Sequence, residues 1–142
     1  MDASELYFLD ANVLMYAAGT EHPLREPCQQ ALKTAVADDI RLITDAEVLQ
    51  EILYRYFSIG RPGSAQAVHA SAIDLCHEIL PLESTHTTRA LELLTEHPRL
   101  TPRDAIHVAT MENRGLELLL STDQDFDSLS HIERVDPSRF PR

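Results

Sequence analysis

Four acidic residues stand where hard-oxygen metal chemistry would need them. Asp10 closes the first apolar run, Glu51 falls in a helical stretch, Asp104 opens another helix, and Asp123 follows the last strong strand-like run. Carboxylates gathered at strand ends supply the oxygen ligands that Mg²⁺ or Mn²⁺ prefers, and such an ion activates water and neutralises charge on a phosphodiester. The pattern therefore points to metal-assisted phosphodiester chemistry. Each acid also has a plainer explanation. Asp10 ahead of Val13, Leu14 and Tyr16 suits a helix cap, and Asp123 with Asp125 suits a turn around Gln124. Thr101 and Asp104 have capping-box spacing, and an acid in a first helical turn is favoured by the helix dipole. Glu51 projects away from the stripe of Val48, Ile52 and Phe57 and beside Glu47 and Arg55, where a solvated glutamate is the default. His107, beside Ile106 and Val108, reads as a hydrogen-bonded packing residue before a ligand.

Other chemistries lack their signals. The chain has no GxxxxGK[ST] loop, GxGxxG turn, GxSxG elbow or HExxH helix. Cys28 and Cys76 have neither CxxC spacing nor cysteine neighbours, so they are expected to be reduced, buried thiols in helices. A formal charge of −11 argues against a generally basic nucleic-acid surface, so any nucleic acid must be held locally. Lys33 is the only lysine, which leaves arginine, the better fork for a phosphate, to do the holding. No stretch approaches a membrane span, and Met1 to Glu5 lack the basic start and apolar run of a signal peptide, so a cytoplasmic protein is expected.

The elements that must position these acids alternate. Short apolar runs at Leu6 to Leu9, Ile40 to Ile43, Ile79 to Leu82, Leu116 to Leu120 and, more weakly, Ile132 to Val135 read as strands. Helical patterns lie between them. One begins near Pro27 and reaches Ala37; the next is capped by Thr44 with Glu47 and runs through Phe57 to the breakers Gly60, Pro62 and Gly63. Ser64 caps a helix carrying Val68, Ala72, Leu75 and Ile79, and another covers Thr87 to Glu96. Thr101 and Pro102 start a helix reaching Asn113, with Gly115 placed to end it in a left-handed turn. Strands alternating with helices predict an α/β fold with a parallel sheet covered on both faces. The 142 residues are expected to form one domain, with 137–142 a loose tail. In such sheets ligands bind outside the carboxyl ends of the strands, where Asp10 and Asp123 lie.

The segments FLDANVLMYA around Asp10, DAEVLQEILYRY around Glu51, LTPRDAIHVATMENRG around Asp104 and LLLSTDQDFD around Asp123 resemble, in order, the PIN-domain ribonucleases. Within that family they look closest to the VapC-type toxins of toxin–antitoxin pairs. The resemblance spans nearly the whole chain. It implies a three-layer α/β/α sandwich with about five parallel strands, and an acidic quartet of Asp10, Glu51, Asp104 and Asp123 binding Mg²⁺ or Mn²⁺ to cleave RNA. Asp125 would add a metal or water contact, with Asn12 and Thr122 as hydrogen-bonding neighbours. It also implies a homodimer that binds an antitoxin, and the apolar residues Tyr54, Tyr56, Phe57 and Ile59 offer a face for a partner. Two alternatives stand beside this. One is a PIN-fold protein acting mainly as a binding module. The other is a haloacid-dehalogenase-like phosphatase, disfavoured because its second Asp would fall at Asn12.

Overall fold

The structure, a computed structural model, describes residues 5–142, so the amino-terminal expectation at Met1 to Ser4 lies outside the described residues. The chain runs β1 (Leu6–Leu9), α1 (Ala11–Ala18), α2 (Arg25–Ala37), β2 (Arg41–Asp45), α3 (Ala46–Ser58), α4 (Pro62–Leu75), β3 (Cys76–Leu80), α5 (Ser84–Glu96), α6 (Pro102–Arg114), β4 (Leu118–Leu120) and β5 (Glu133–Val135). Two 3₁₀ turns, Gln124–Ser128 and Pro137–Arg139, flank β5. All strand pairings are parallel and the order is β3-β2-β1-β4-β5. Helices cover the sheet to give the α/β/α sandwich. No described helix is long and apolar enough to cross a membrane.

The order decides where a site can form. From β1 the chain winds outward through β2 to β3, then returns to place β4 on the other side of β1. Strand order therefore reverses between β1 and β4, where α1 and the first 3₁₀ turn follow, and a ligand crevice is expected outside their carboxyl ends. Tyr7, Phe8 and Leu9 of β1 and Leu119 and Leu120 of β4 are fully buried. Burying each such side chain contributes about 1.5–3 kcal/mol, which anchors the crevice floor. The ladder extends one residue past β1, Asp10 N–H donating to the Leu120 carbonyl at 3.1 Å.

Several boundaries differ from the sequence expectation for identifiable reasons. Thr44 does not cap α3; it ends inside β2, its hydroxyl donating to the Leu9 carbonyl at 2.8 Å. Asp45 is the cap instead, accepting from Val48 N–H at 2.9 Å. Helix α4 starts at Pro62 rather than at Ser64 and stops at Leu75, so the residues Cys76–Leu80 form the edge strand where helix was expected to continue to Ile79. Cys76 is consequently a half-buried strand residue, while Cys28 is a buried helical one; both are free. Burial pushes both thiols up to about 12, which leaves them unreactive. Helix α6 ends as expected at Gly115, whose φ of +78° requires the left-handed region.

The tail expected to be loose is tied down. Pro137 is buried, Phe140 packs edge-on against Tyr7 with ring centroids 4.9 Å apart, and the Arg142 guanidinium meets Glu5 at 2.6 Å. The apolar body of Phe140 gives this segment a partner on β1 that composition alone does not reveal.

Candidate active site

Asp10 leaves β1 in an extended conformation and caps α1, one carboxylate oxygen accepting from Ala11 N–H at 2.8 Å. Its other oxygen accepts from the Ser121 hydroxyl at 2.7 Å and from Asn12 Nδ2 at 3.1 Å. Asn12 also donates to Ser121 Oγ at 3.2 Å and accepts from Thr122 N–H at 3.2 Å, while Ser121 Oγ accepts from Asp123 N–H at 3.0 Å. This network locks the end of β1 to the end of β4. Asn12 and Thr122 are thus hydrogen-bonding neighbours of the acid, Thr122 through its backbone.

Glu51 approaches from α3. Its Oε1 lies 3.1 Å from Nε2 of His107, which is fully buried on α6. Nδ1 of the same imidazole is 2.9 Å from Oδ2 of buried Asp45, which also accepts from the Thr110 hydroxyl at 2.8 Å. Asp10 Oδ1 lies 4.0 Å from His107 Nε2. The imidazole thus bridges two acids and faces a third. Burial opposes its charge, but the Asp45 charge and hydrogen bond, then Glu51 and Asp10, hold the His107 pKa well above the ordinary value. Both ring nitrogens thus lie within hydrogen-bond distance of a carboxylate oxygen, an arrangement that favours the charged form of the ring.

Asp104 sits at the start of α6 in a reciprocal capping box: its N–H donates to Thr101 Oγ1 and its carboxylate accepts from Thr101 N–H, both at 3.2 Å. Asp123 caps the 3₁₀ turn after β4, accepting from Asp125 N–H at 2.9 Å. The capping explanation is thus realised for Asp10, Asp104 and Asp123, yet the acids still feel one another. Desolvation raises the Asp10 pKa to about 6; the His107 charge opposes this, and Glu51 and Asp104 add to it. Asp104 is raised likewise, by desolvation first and by Asp123 in addition, against its Thr101 bonds.

Among the described residues, the group whose ligand atoms lie within 4.8 Å of one another is Asp10, Glu51 and His107. Asp104 stands outside that tight group but acts on Asp10, and Asp123 acts in turn on Asp104. Asp125 is half-buried and meets the site only through its backbone bond to Asp123. The donor chemistry fits a divalent cation: anionic oxygens in a desolvated crevice, one with its pKa raised in part by neighbouring carboxylates. Sequence reasoning missed Asp45 and Ser121, and took His107 as a hydrogen-bonded packing residue without naming its acidic partners. Asp45 had a usable signal, since it ends an apolar strand as Asp10 does.

The family profile described as PIN domain matches residues 7–132. Ribonuclease VapC13 of Mycobacterium tuberculosis is 38% identical over 130 residues, covering 92% of this chain and 99% of the relative. Ribonuclease VapC23 of the same species is 34% identical over 123 residues, covering 87% and 97%. Among solved structures, M. tuberculosis VapC20, described as a sarcin-ricin loop cleaving toxin, superposes with a TM-score of 0.71 at 17% identity, covering 89% of this chain and 95% of that one. A toxin–antitoxin complex from Klebsiella pneumoniae gives 0.67 at 20% identity, covering 92% and 97%. At these identities the solved structures speak for the fold.

Proposed function

The chain belongs to the PIN-domain family, and on that premise we propose that it is a VapC-type endoribonuclease, the toxin of a toxin–antitoxin pair, acting in the cytoplasm with Mg²⁺ or Mn²⁺. The observation that carries the reading is the convergence of Asp10 and Glu51, from separate elements, on one desolvated crevice at the switch point of the sheet. Asp10, Asp104 and Asp123, with Glu51, would hold the ion, which would supply Lewis-acid activation of water and neutralise charge on the phosphate. Asp125 would contribute at most through a water.

The chain's own residues do the positioning. Ser121 and Asn12 fix the Asp10 carboxylate by two hydrogen bonds, so its remaining lone pairs point in a set direction. The Asp45–His107 pair fixes Glu51 in turn. Glu51 would then be the acceptor that orients the attacking water towards phosphorus, with the His107 ring, 3.1 Å away, keeping that acceptor in place. An antitoxin and a second copy of the chain are the protein partners. Leu53, Tyr54, Phe57, Ile59 and Ile73 lie exposed on or beside α3 and α4, an apolar face a dimer would cover, whereas Tyr56 turns into the core.

Glu51→Gln separates this role from a merely surface one. Cleavage of RNA by Glu51→Gln should fall at least ~100-fold, as expected for loss of an acceptor in the transition state. Glu47→Gln should retain most activity, because Glu47 stands outside the Asp10–Glu51–His107 group and its pair with part-exposed Arg103 is long, at 3.9 Å. Equal losses in the two variants would remove Glu51 from the site.

A further inference from the structure

An acidic protein that cuts a polyanion must grip it somewhere, and one hollow has the chemistry. A cavity of about 460 Å³ lies between α1, the carboxyl half of α3 and the start of α4. Asn12 lines it and also donates to the Asp10 carboxylate, so cavity and crevice share a wall. Arg55 and Arg61 line it as well. Arg89, Arg103, Arg114, Arg134 and Arg142 each have a carboxylate oxygen within 4.0 Å. Among the described residues, Arg55 and Arg61 have none; the same holds for Arg25, Arg41, Arg99 and Arg139, but Arg55 and Arg61 are the pair at this cavity, and Arg55 is unpaired although Glu51 is one helical turn away. Glu51 turns to His107 instead, at 3.1 Å, leaving the Arg55 guanidinium uncommitted. On a chain of net charge −11, two guanidinium groups at one cavity are a local concentration of positive charge. Tyr16 and His22 complete the wall, their rings tilted by 34° with centroids 4.8 Å apart.

We infer that this cavity is a nucleotide subsite beside the scissile phosphate, in which Arg55 and Arg61 fork an RNA backbone phosphate and Tyr16 with His22 present the ring surface for a base. The inference rests on the ribonuclease reading and adds where the substrate is held. Guanidinium forks match phosphate oxygens, and aromatic faces stack any base, so the subsite takes single-stranded RNA with little base preference. The exposed apolar residues Leu53, Tyr54 and Phe57 flank the cavity on the same helix and share Ile59 with it, so a protein partner is the competing occupant that the test must separate from RNA.

The test is equilibrium binding of a short fluorescent single-stranded RNA, read by anisotropy across a salt series in EDTA, so that no cleavage intervenes. Arg55→Gln/Arg61→Gln should weaken binding at least ~10-fold and make the log–log salt slope shallower by about 0.7 for each phosphate contact removed. Tyr16→Leu should weaken binding with the slope unchanged. Arg41→Gln, at the amino end of β2 and away from the crevice, should bind as the parent does. Because both cavity arginines are exposed, loss of fold is not expected, and a melting curve for each variant checks this. If the double variant binds RNA with the parent's affinity and slope while the parent still cleaves RNA, the subsite is overturned and the nuclease reading stands. Unchanged RNA binding together with lost co-purification of a co-expressed antitoxin would give the cavity to a protein and overturn it equally. A parent that neither binds nor cleaves RNA would overturn both readings.

Discussion

Asp10 concentrates the cost of building the site. Its carboxyl is buried, its folded pKa is about 6 against an ordinary 3.8, and burial is the main cause, with Glu51 and Asp104 adding to it. A folded pKa above the unfolded one means that the folded protein takes up this proton first. The contribution therefore favours folding as pH falls from above 6 towards 3.8, and the ionised carboxylate costs stability above 6. In EDTA, Asp10→Asn should thus be at least as stable as the parent near neutral pH, by up to about 3 kcal/mol, with the difference vanishing near pH 4. The same variant should not cleave RNA. A strong loss of stability at neutral pH would mean that the acid serves the fold rather than the crevice. At this scale the sequence was legible where residue type alone signals chemistry: Asp10 after an apolar run, and the quartet in order. It was not legible where the signal is a long-range pairing. Asp45 and His107 are 62 positions apart, and only the sheet order brings α6 against the end of β2.

Asp10 and Asp123 each cap the element that follows, and Asp104 closes the capping box of α6, so a capping role and a place beside the crevice are not exclusive alternatives. Helix α6 shows how they combine. Asp104 closes the box with Thr101 while its pKa is raised by burial and by Asp123. Asn at this position can still accept from Thr101 N–H, so Asp104→Asn should keep the metal-free melting temperature or raise it. Asp104→Ala loses the box and should cost about 1 kcal/mol, as should Thr101→Ala. Thermal unfolding of the three variants in EDTA decides between them; an Asn variant as unstable as the Ala one would show that the carboxylate charge stabilises the helix start. Helix ends marked by Pro102 and Gly115 were readable because those residues act on their own backbone. The edge strand Cys76–Leu80 was readable only at Ile79 and Leu80, where the expected run Ile79 to Leu82 overlaps it; its exposed first residues carry no clear alternation and only pairing with β2 makes them strand.

For the whole molecule, net charge and apolar surface pull in different directions. A charge of −11 keeps copies apart at long range, but Tyr54 and Phe57 on α3 and Ile73 on α4 are each close to half exposed or more, an area better covered than wet. Sedimentation at micromolar concentration and physiological salt should therefore give a dimer, and Phe57→Glu should give a monomer with an unchanged circular dichroism spectrum. A monomeric parent would remove the dimer. The fold class and parallel sheet could be read from alternating strands and helices, whereas the ordered tail could not, because its hold is the distant Tyr7–Phe140 contact. The central claim is that the acidic crevice is a metal-dependent ribonuclease site, and the most direct measurement is cleavage of RNA by the purified chain with Mg²⁺ or Mn²⁺, in excess EDTA, and after the ion is restored. Cleavage that is present with the ion, absent in EDTA, regained on restoration and absent throughout in Asp10→Asn is the predicted result; RNA cut equally well in excess EDTA would contradict it.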